Sequence, residues 1–490
     1  MTTVATGELT PVAGESSSKE PPRDFLAEKK HAWSEHKSIP IAADLVGAAL
    51  VLGRLEEAQE AGAYLLANAA SVSPSVHRIL RGILGHQARA RTALPMIEVE
   101  VPDIHDSRLV VRRLRNRLQR DPRDAVLWID LARHYAILGH GEKARRAAQR
   151  GHHLAPDSRF TLRSAARLLV HLGDPEHGHE ILRRSEATRK DPWLLASEIA
   201  VATVAGRHSR LIKVGQAIIE ARHHHPKHTS ELASAIATLE LSSGNMKAAR
   251  KLFRVALEDP NDNTVAQAEW ASRRGSNLGI EPRHLATPLS FEARAWEQYS
   301  VGKWRESLAE CQSWLSDEPY SSRPAVLATF LASVALEDYQ LSERVAKMGL
   351  LANPDDQTLL NNMVFTLASS GNLTQAVQYF ERMDVSKCDE GARVAYLATS
   401  GLLEFRQGRF EIGRNHYREA VGLAEKLSDR LRSALASAFL AREEILATTS
   451  LADSALAAAR ARAEGQDAPI LGLLIARLED LQQSSRPPGS

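Results

Sequence analysis

Residues 124–156 read DAVLWIDLARHYAILGHGEKARRAAQRGHHLAP. Trp128, Leu131 and Tyr135 stand at i, i+3 and i+7, so they share one face of a helix. Ala132 beside them is small. Gly139 ends that helix, because glycine takes the left-handed cap conformation without a Cβ penalty. Ala144 and Ala148, four apart, then mark a second helix whose small side chains let two backbones approach closely. Pro156 stops it, since proline lacks the N–H and clashes with the preceding turn.

These residues resemble the tetratricopeptide repeat, a helix–turn–helix unit of 34 residues. Trp128, Leu131, Ala132, Tyr135, Gly139, Ala144, Ala148 and Pro156 carry the resemblance, and Gly151 stands where the pattern usually has alanine. It implies an all-α chain, a right-handed α-solenoid of stacked antiparallel helix pairs. A helix pair of this kind buries its apolar face only by stacking on its neighbours, so the array grows in one dimension. The family generally binds partners and performs no chemistry.

Downstream, Gly173 follows Gly139 by 34 residues, with Leu162, Ala165, Ala166 and Leu169 in matching places. Gly206 and Gly244 continue the series, and Ala249, Phe253 and Ala256 repeat the second-helix spacing. Residues 276–290 hold two prolines and no clean period, so they read as an irregular connector. Units resume with Gly302, with Tyr339 where glycine is usual, and with Gly371 and Gly408. The expected organisation is an N-terminal array over 107–275 and a C-terminal array over 291–483 that ends in a capping helix. Upstream, residues 1–22 read as a disordered tail. Residues 23–94 read as helices around a degenerate repeat that turns at Gly53, with a further helix over Ser75–Thr92. In 95–106, Met96–Val101 alternates apolar and acidic residues between two prolines, which predicts an extended linker. Residues 484–490 form a second loose tail.

Composition agrees. With 490 residues the chain exceeds the size at which a single core keeps growing, so it splits or stacks. Aromatics are 5%, low for a sandwich or barrel. The formal net charge of +2 excludes a chain that is a polyanion binder throughout. Two cysteines, Cys311 and Cys388, build no disulfide framework. No leader and no apolar run of about 18 residues occurs, so a cytoplasmic protein without a membrane span is expected.

In the tetratricopeptide family the groove positions of each unit are the second, fifth, ninth, twelfth and thirteenth. The resemblance places Val126, Ile129, Arg133, Ala136 and Ile137 there in the first clear unit. Phe160, Arg163, Arg167, Val170 and His171 follow in the next, and Trp193 in the third. Arg133, Arg163 and Arg167, flanked by Ile129, Phe160 and Trp193, suit an acidic or phosphorylated partner segment with an apolar anchor. The plain alternative is a solvated groove face, with Trp193 packed on the preceding helix. A family clamp for C-terminal carboxylates needs Lys at position five and Asn at nine. Ile129 and Arg133 stand there, so that function does not transfer.

Residues 77–150 carry sixteen Lys or Arg against eight Asp or Glu. Arg112, Arg113, Arg115 and Arg117 crowd one helix, which could meet the phosphates of a nucleic acid. Base-stacking aromatics are not interleaved with them, so a solvated face or an acidic protein partner is favoured. Two histidine clusters, His223–His228 and His171–Glu180, match no metal-ligand spacing. Phosphate-loop, nucleophile-elbow and zinc-protease motifs are absent. The expected function is therefore an adaptor without enzymatic activity, cofactor or metal, binding one or more proteins or peptides. A peptide-responsive sensor and a nucleic-acid binder are the alternatives.

Overall fold

The computed structural model describes residues 25–52, 54–68, 104–276 and 278–485. The expected tail 1–22, the turn at Gly53, the helix Ser75–Thr92, the alternating Met96–Val101 and the last five residues lie outside them. Every regular element among the described residues is helical, and there is no strand.

Three helices come first: α1 (Phe25–Glu35), α2 (Ile39–Leu52) and α3 (Gln59–Ala67). The chain then continues in α4 (Ile104–Arg120), which starts inside the expected linker. Helix pairs follow: α5 (Ala125–Ile137) with α6 (Gly141–Leu154), α7 (Arg159–His171) with α8 (Pro175–Arg184), and α9 (Pro192–Val204) with α10 (Ile212–Ala221). Next come α11 (Pro226–Ser242) with α12 (Met246–Ala256), and α13 (Asp262–Ala271). The expected connector contains the short α14 (Pro282–Leu285) and stands in place of a second helix. Helix α13 packs directly on α15 (Phe291–Ser300), so the stack continues across it. Helix α16 (Trp304–Asp317) completes that unit. The C-terminal units are α17 (Ser322–Phe330) with α18 (Tyr339–Ala352), and α19 (Gln357–Ser369) with α20 (Leu373–Phe380). After them come α21 (Glu390–Arg406) with α22 (Phe410–Lys426), α23 (Arg430–Leu446) with α24 (Ala452–Ala463), and the final α25 (Pro469–Ser485).

Local chemistry sets these boundaries. Aspartates cap many helices: Asp124 accepts from the Val126 and Leu127 N–H groups, each at 3.0 Å, and Asp191 from Trp193 N–H at 2.9 Å. Such caps satisfy amides that have no partner inside the helix. Proline opens α8, α9 and α11, where its missing N–H costs nothing. Gly139, Gly173, Gly206, Gly244, Gly302, Gly371 and Gly408 all take positive φ at their turns. Tyr339, expected at the glycine position, instead opens α18; Glu337 stands where the other units have glycine and takes the left-handed conformation with φ 55°, after α17 has run on as a π-helical turn over Leu331–Ala335. Ala144 and Ala148 are fully buried at the α5–α6 crossing.

The array also closes on itself at two seams. Helix α2 lies against α5, α7 and α11, the first helices of three units. On the far side, the end of α16 and the α18 helix meet α5 and α7. Tyr320 and Ala352 join the core of the first units, and the rings of His171 and Tyr320 meet edge-on at 4.9 Å. Gly139 is locked into this second seam: its φ is +70°, and a Cβ there would collide with the Leu351 carbonyl oxygen.

Candidate functional site

The two seams leave a cavity of about 740 Å³ on the inner side of the N-terminal array. One wall is made by the first helices α7, α9, α11 and α13. Residues of α2, including Asp44, form a second wall, and Trp314, Asp317, Glu318 and Arg323 close the third. Its volume is in the range of ligand pockets, and its surface mixes aromatic, aliphatic and charged groups.

Of the residues expected in the groove, Phe160, Arg163, Arg167, Val170 and Trp193 line this interior, whereas Val126, Ile129, Ala136 and Ile137 are buried in the core. Phe160 and Val126 carry the α2 seam, packed with Leu26, Trp33 and Leu45. Asp44 reaches across it, accepting from Ser158 Oγ at 3.2 Å and Phe160 N–H at 3.4 Å. It thereby caps α7 from a distant segment, while Lys29 Nζ approaches its other oxygen at 3.6 Å. Trp193 is held between helices: Arg159 and Arg163 lie over its ring at 5.2 and 5.0 Å, and His228 stacks at 6.0 Å. These contacts come from α7 and α11, and Trp193 also lines the chamber.

Ile129 corrects the expectation. It is only 3% exposed, and its side chain lies where a Cβ on residue 151 would sit, 2.9 Å from Ile129 Cγ1. Isoleucine has turned into the α5–α6 crossing, which is why Gly151 replaces the usual alanine. Ile129 is therefore core and offers nothing to a partner.

The three arginines are a second correction. Sequence spacing makes them free donors, but each has an acceptor within the chain. Arg133 Nη2 donates to the Asp317 carbonyl at 2.6 Å. Arg163 Nη2 pairs with Glu231 at 2.6 Å, and Arg167 pairs with Glu318. Glu231, 4% exposed, also accepts from Asn261 at 3.1 Å and Asn263 at 2.9 Å. Arg323 from the opposite wall pairs with Glu292. An acidic segment would have to displace these contacts. Sequence reasoning missed Asp262, Asp317 and Glu318, which come from α13 and α16; no local spacing announces contacts across 150 residues or more.

The basic helix has a different setting. Arg112, Arg113 and Arg115 on α4 are exposed and Arg117 is half-buried. None of the four forms an ion pair with a described residue. Of the histidine clusters, His179 Nε2 meets the buried Glu198 at 2.8 Å, and Asp174 caps α8 through His177 N–H at 3.3 Å. Among the described residues no group of three or more His, Cys, Asp or Glu side chains could hold a metal ion, and no helix is long and apolar enough to cross a membrane. Cys311 is buried, and burial pushes its thiol well above the usual range; Cys388 is half-buried and also raised. Neither is an activated nucleophile.

Stacked antiparallel helix pairs that turn on glycines give the described residues a helical-repeat fold of the tetratricopeptide kind. No family model matches the chain. Its sequence is similar to cellulose synthase 1 operon protein C of Komagataeibacter xylinus, 23% identical over 329 residues. That match covers 60% of this chain and spans only 23% of that protein. Among solved structures it is similar to yeast Tom70, at 12% identity and TM-score 0.32, over 79% of this chain and 94% of that one. It is also similar to the Cut9–Hcn1 hetero-tetramer of the APC/C, at 12% and 0.35, over 94% and 92%. A third is a monomeric mutant of IFIT1 with Gppp-AAAA, at 13% and 0.32, over 94% and 95%.

Proposed function

We propose that the chain is a protein-interaction scaffold that holds a segment of a partner protein in the chamber of its N-terminal array. The carrying observation is the chamber itself. Its roughly 740 Å³ is lined by inner helices of successive units and walled by both ends of the described chain's first half and by α16. A peptide laid there meets apolar side chains such as Phe160 and Val204 together with oriented polar groups, the mixture that gives a pocket both affinity and direction. Stacking supplies such a surface without requiring any chemistry.

Ala200, exposed on α9 in the chamber wall, is the place to test this. An Ala200→Trp change fills space without breaking a paired charge, whereas reversing Arg133, Arg163 and Arg167 would also break the seams. Affinity capture from the native cell should lose one specific protein with Ala200→Trp while helicity is unchanged. Identical capture would remove the chamber as the site.

A second reading has one observation in its favour, the exposed guanidiniums of Arg112, Arg113 and Arg115 with no acidic partner among the described residues. They suit the phosphates of a nucleic acid on the outer surface. Such binding falls steeply with salt, by about one power of ten per few phosphate contacts over a several-fold rise in concentration. Binding of RNA or DNA that is insensitive to Arg112→Ala with Arg115→Ala would dismiss it.

A further inference from the structure

The geometry points to a cationic side chain, the ammonium of lysine or the guanidinium of arginine on a partner segment, as the group that the chamber takes, seated at the carboxylate of Asp262. This rests on the chamber being the partner site, and it reverses the sign of charge that the arginine spacing suggests.

The charges lining the chamber largely cancel in fixed pairs. Arg163 is committed to Glu231, Arg167 to Glu318 and Arg323 to Glu292. Glu231 is saturated further by Asn261 and Asn263. Asp262 is different. It opens α13 beside the capping Asn261 and lines the chamber, and among the described residues its side chain accepts no hydrogen bond and forms no ion pair. The strongest charges acting on it are Glu231 on α11, Asp317 and Glu318 at the end of α16, and Arg167 on α7. Three carboxylates thus face it against one guanidinium that is already paired. Glu292, Arg323 and Lys227 line the same chamber. Burial, then the neighbouring carboxylates, push the Asp262 carboxyl up to about 6. A cation arriving there relieves that repulsion. A phosphate or carboxylate arriving there meets the same field with the wrong sign.

The test uses the full chain and two fluorescein-labelled nonapeptides of glycine and serine, one with a central arginine and one with a central glutamate. Anisotropy at pH 7.5 should show the arginine peptide binding about tenfold tighter or more. The advantage should vanish in Asp262→Asn, and shrink at pH 5, where Asp262 takes up its proton while Arg167 and Arg323 keep their charge. Equal or tighter binding of the glutamate peptide overturns the inference, as does an advantage that survives Asp262→Asn, or no binding of the arginine peptide at about 1 mM. Ala200→Trp separates the two levels. If both peptides bind equally and both weaken in that variant, the chamber reading stands and the cation preference falls. If binding ignores Ala200→Trp, the chamber reading falls as well.

Discussion

In the N-terminal array, α7, α9, α11 and α13 look across a chamber at charged groups from α16 and α17. In the C-terminal array the corresponding interior is closed by side chains. Phe365 of α19 meets Phe439 of α23 edge-on at 5.2 Å, and Arg442 lies over both rings at 5.3 and 5.6 Å. Arg406 pairs with the buried Glu443 at 2.9 Å. Helix α25 then folds back, burying Leu471, Leu474 and Leu478, and Arg477 donates to the Val334 and Ala335 carbonyls at 2.9 and 2.6 Å. The same helix pair therefore builds either a hollow or a filled interior. What decides is which side chains occupy the inner positions and whether a terminal helix returns to cover them.

The largest effect that could break this contrast lies in the filled half. Replacing both Leu474 and Leu478 by aspartate buries two unpaired carboxylates and removes core contacts, for a loss of about 4 kcal/mol or more. Urea denaturation should show it. Ala200→Trp, which enters the hollow half, should change stability by less than about 1 kcal/mol. Comparable losses for the two would mean that both interiors are equally packed.

An intermediate effect measures the seam that closes the chamber. Gly139 and Gly173 occupy equivalent turns with φ of +70° and +73°, but only Gly139 has a backbone oxygen where its Cβ would go. Gly173→Ala should cost about 1 kcal/mol from conformation alone. Gly139→Ala should cost about 2–3 kcal/mol, with the excess coming from separation of α5 and α18. Equal costs would show that the seam contributes nothing.

The smallest effect concerns Asp262. Its carboxyl titrates near 6 in the fold against an ordinary value of 3.8. The folded protein therefore binds the proton more tightly than the unfolded chain, and stability is lost as pH rises through that window. Asp262→Asn should raise stability at pH 8 by on the order of 1 kcal/mol and very little at pH 4. Thermal melts at the two pH values check this, and an equal gain at both would assign the effect to packing instead of charge.

How far the sequence reaches follows from the same contrast. Turn glycines and alanine pairs act within about 34 residues, and each of these left a spacing that could be read. The inner face was legible too, since Phe160, Arg163, Arg167 and Trp193 all line the chamber. Ile129 was misplaced, although Gly151 carried the signal: a missing Cβ opposite a branched side chain marks a tight crossing. The closures were not legible. Arg133 reaches Asp317 across 184 residues, and Arg477 reaches Val334 across 143. Such contacts depend on small rotations summed over many stacked units, and no single unit records that sum.

Site-specific photo-cross-linking tests the contrast most directly. A benzoylphenylalanine placed at Ala200 in the chamber and, separately, at Phe439 in the filled interior would be irradiated in the native cell and the products mapped by mass spectrometry. The Ala200 probe should join a defined segment of one partner, with a lysine or arginine in or beside the cross-linked peptide, while the Phe439 probe should give only internal products with α19. A partner joined through Phe439 and none through Ala200 would contradict the assignment of the hollow half as the binding half.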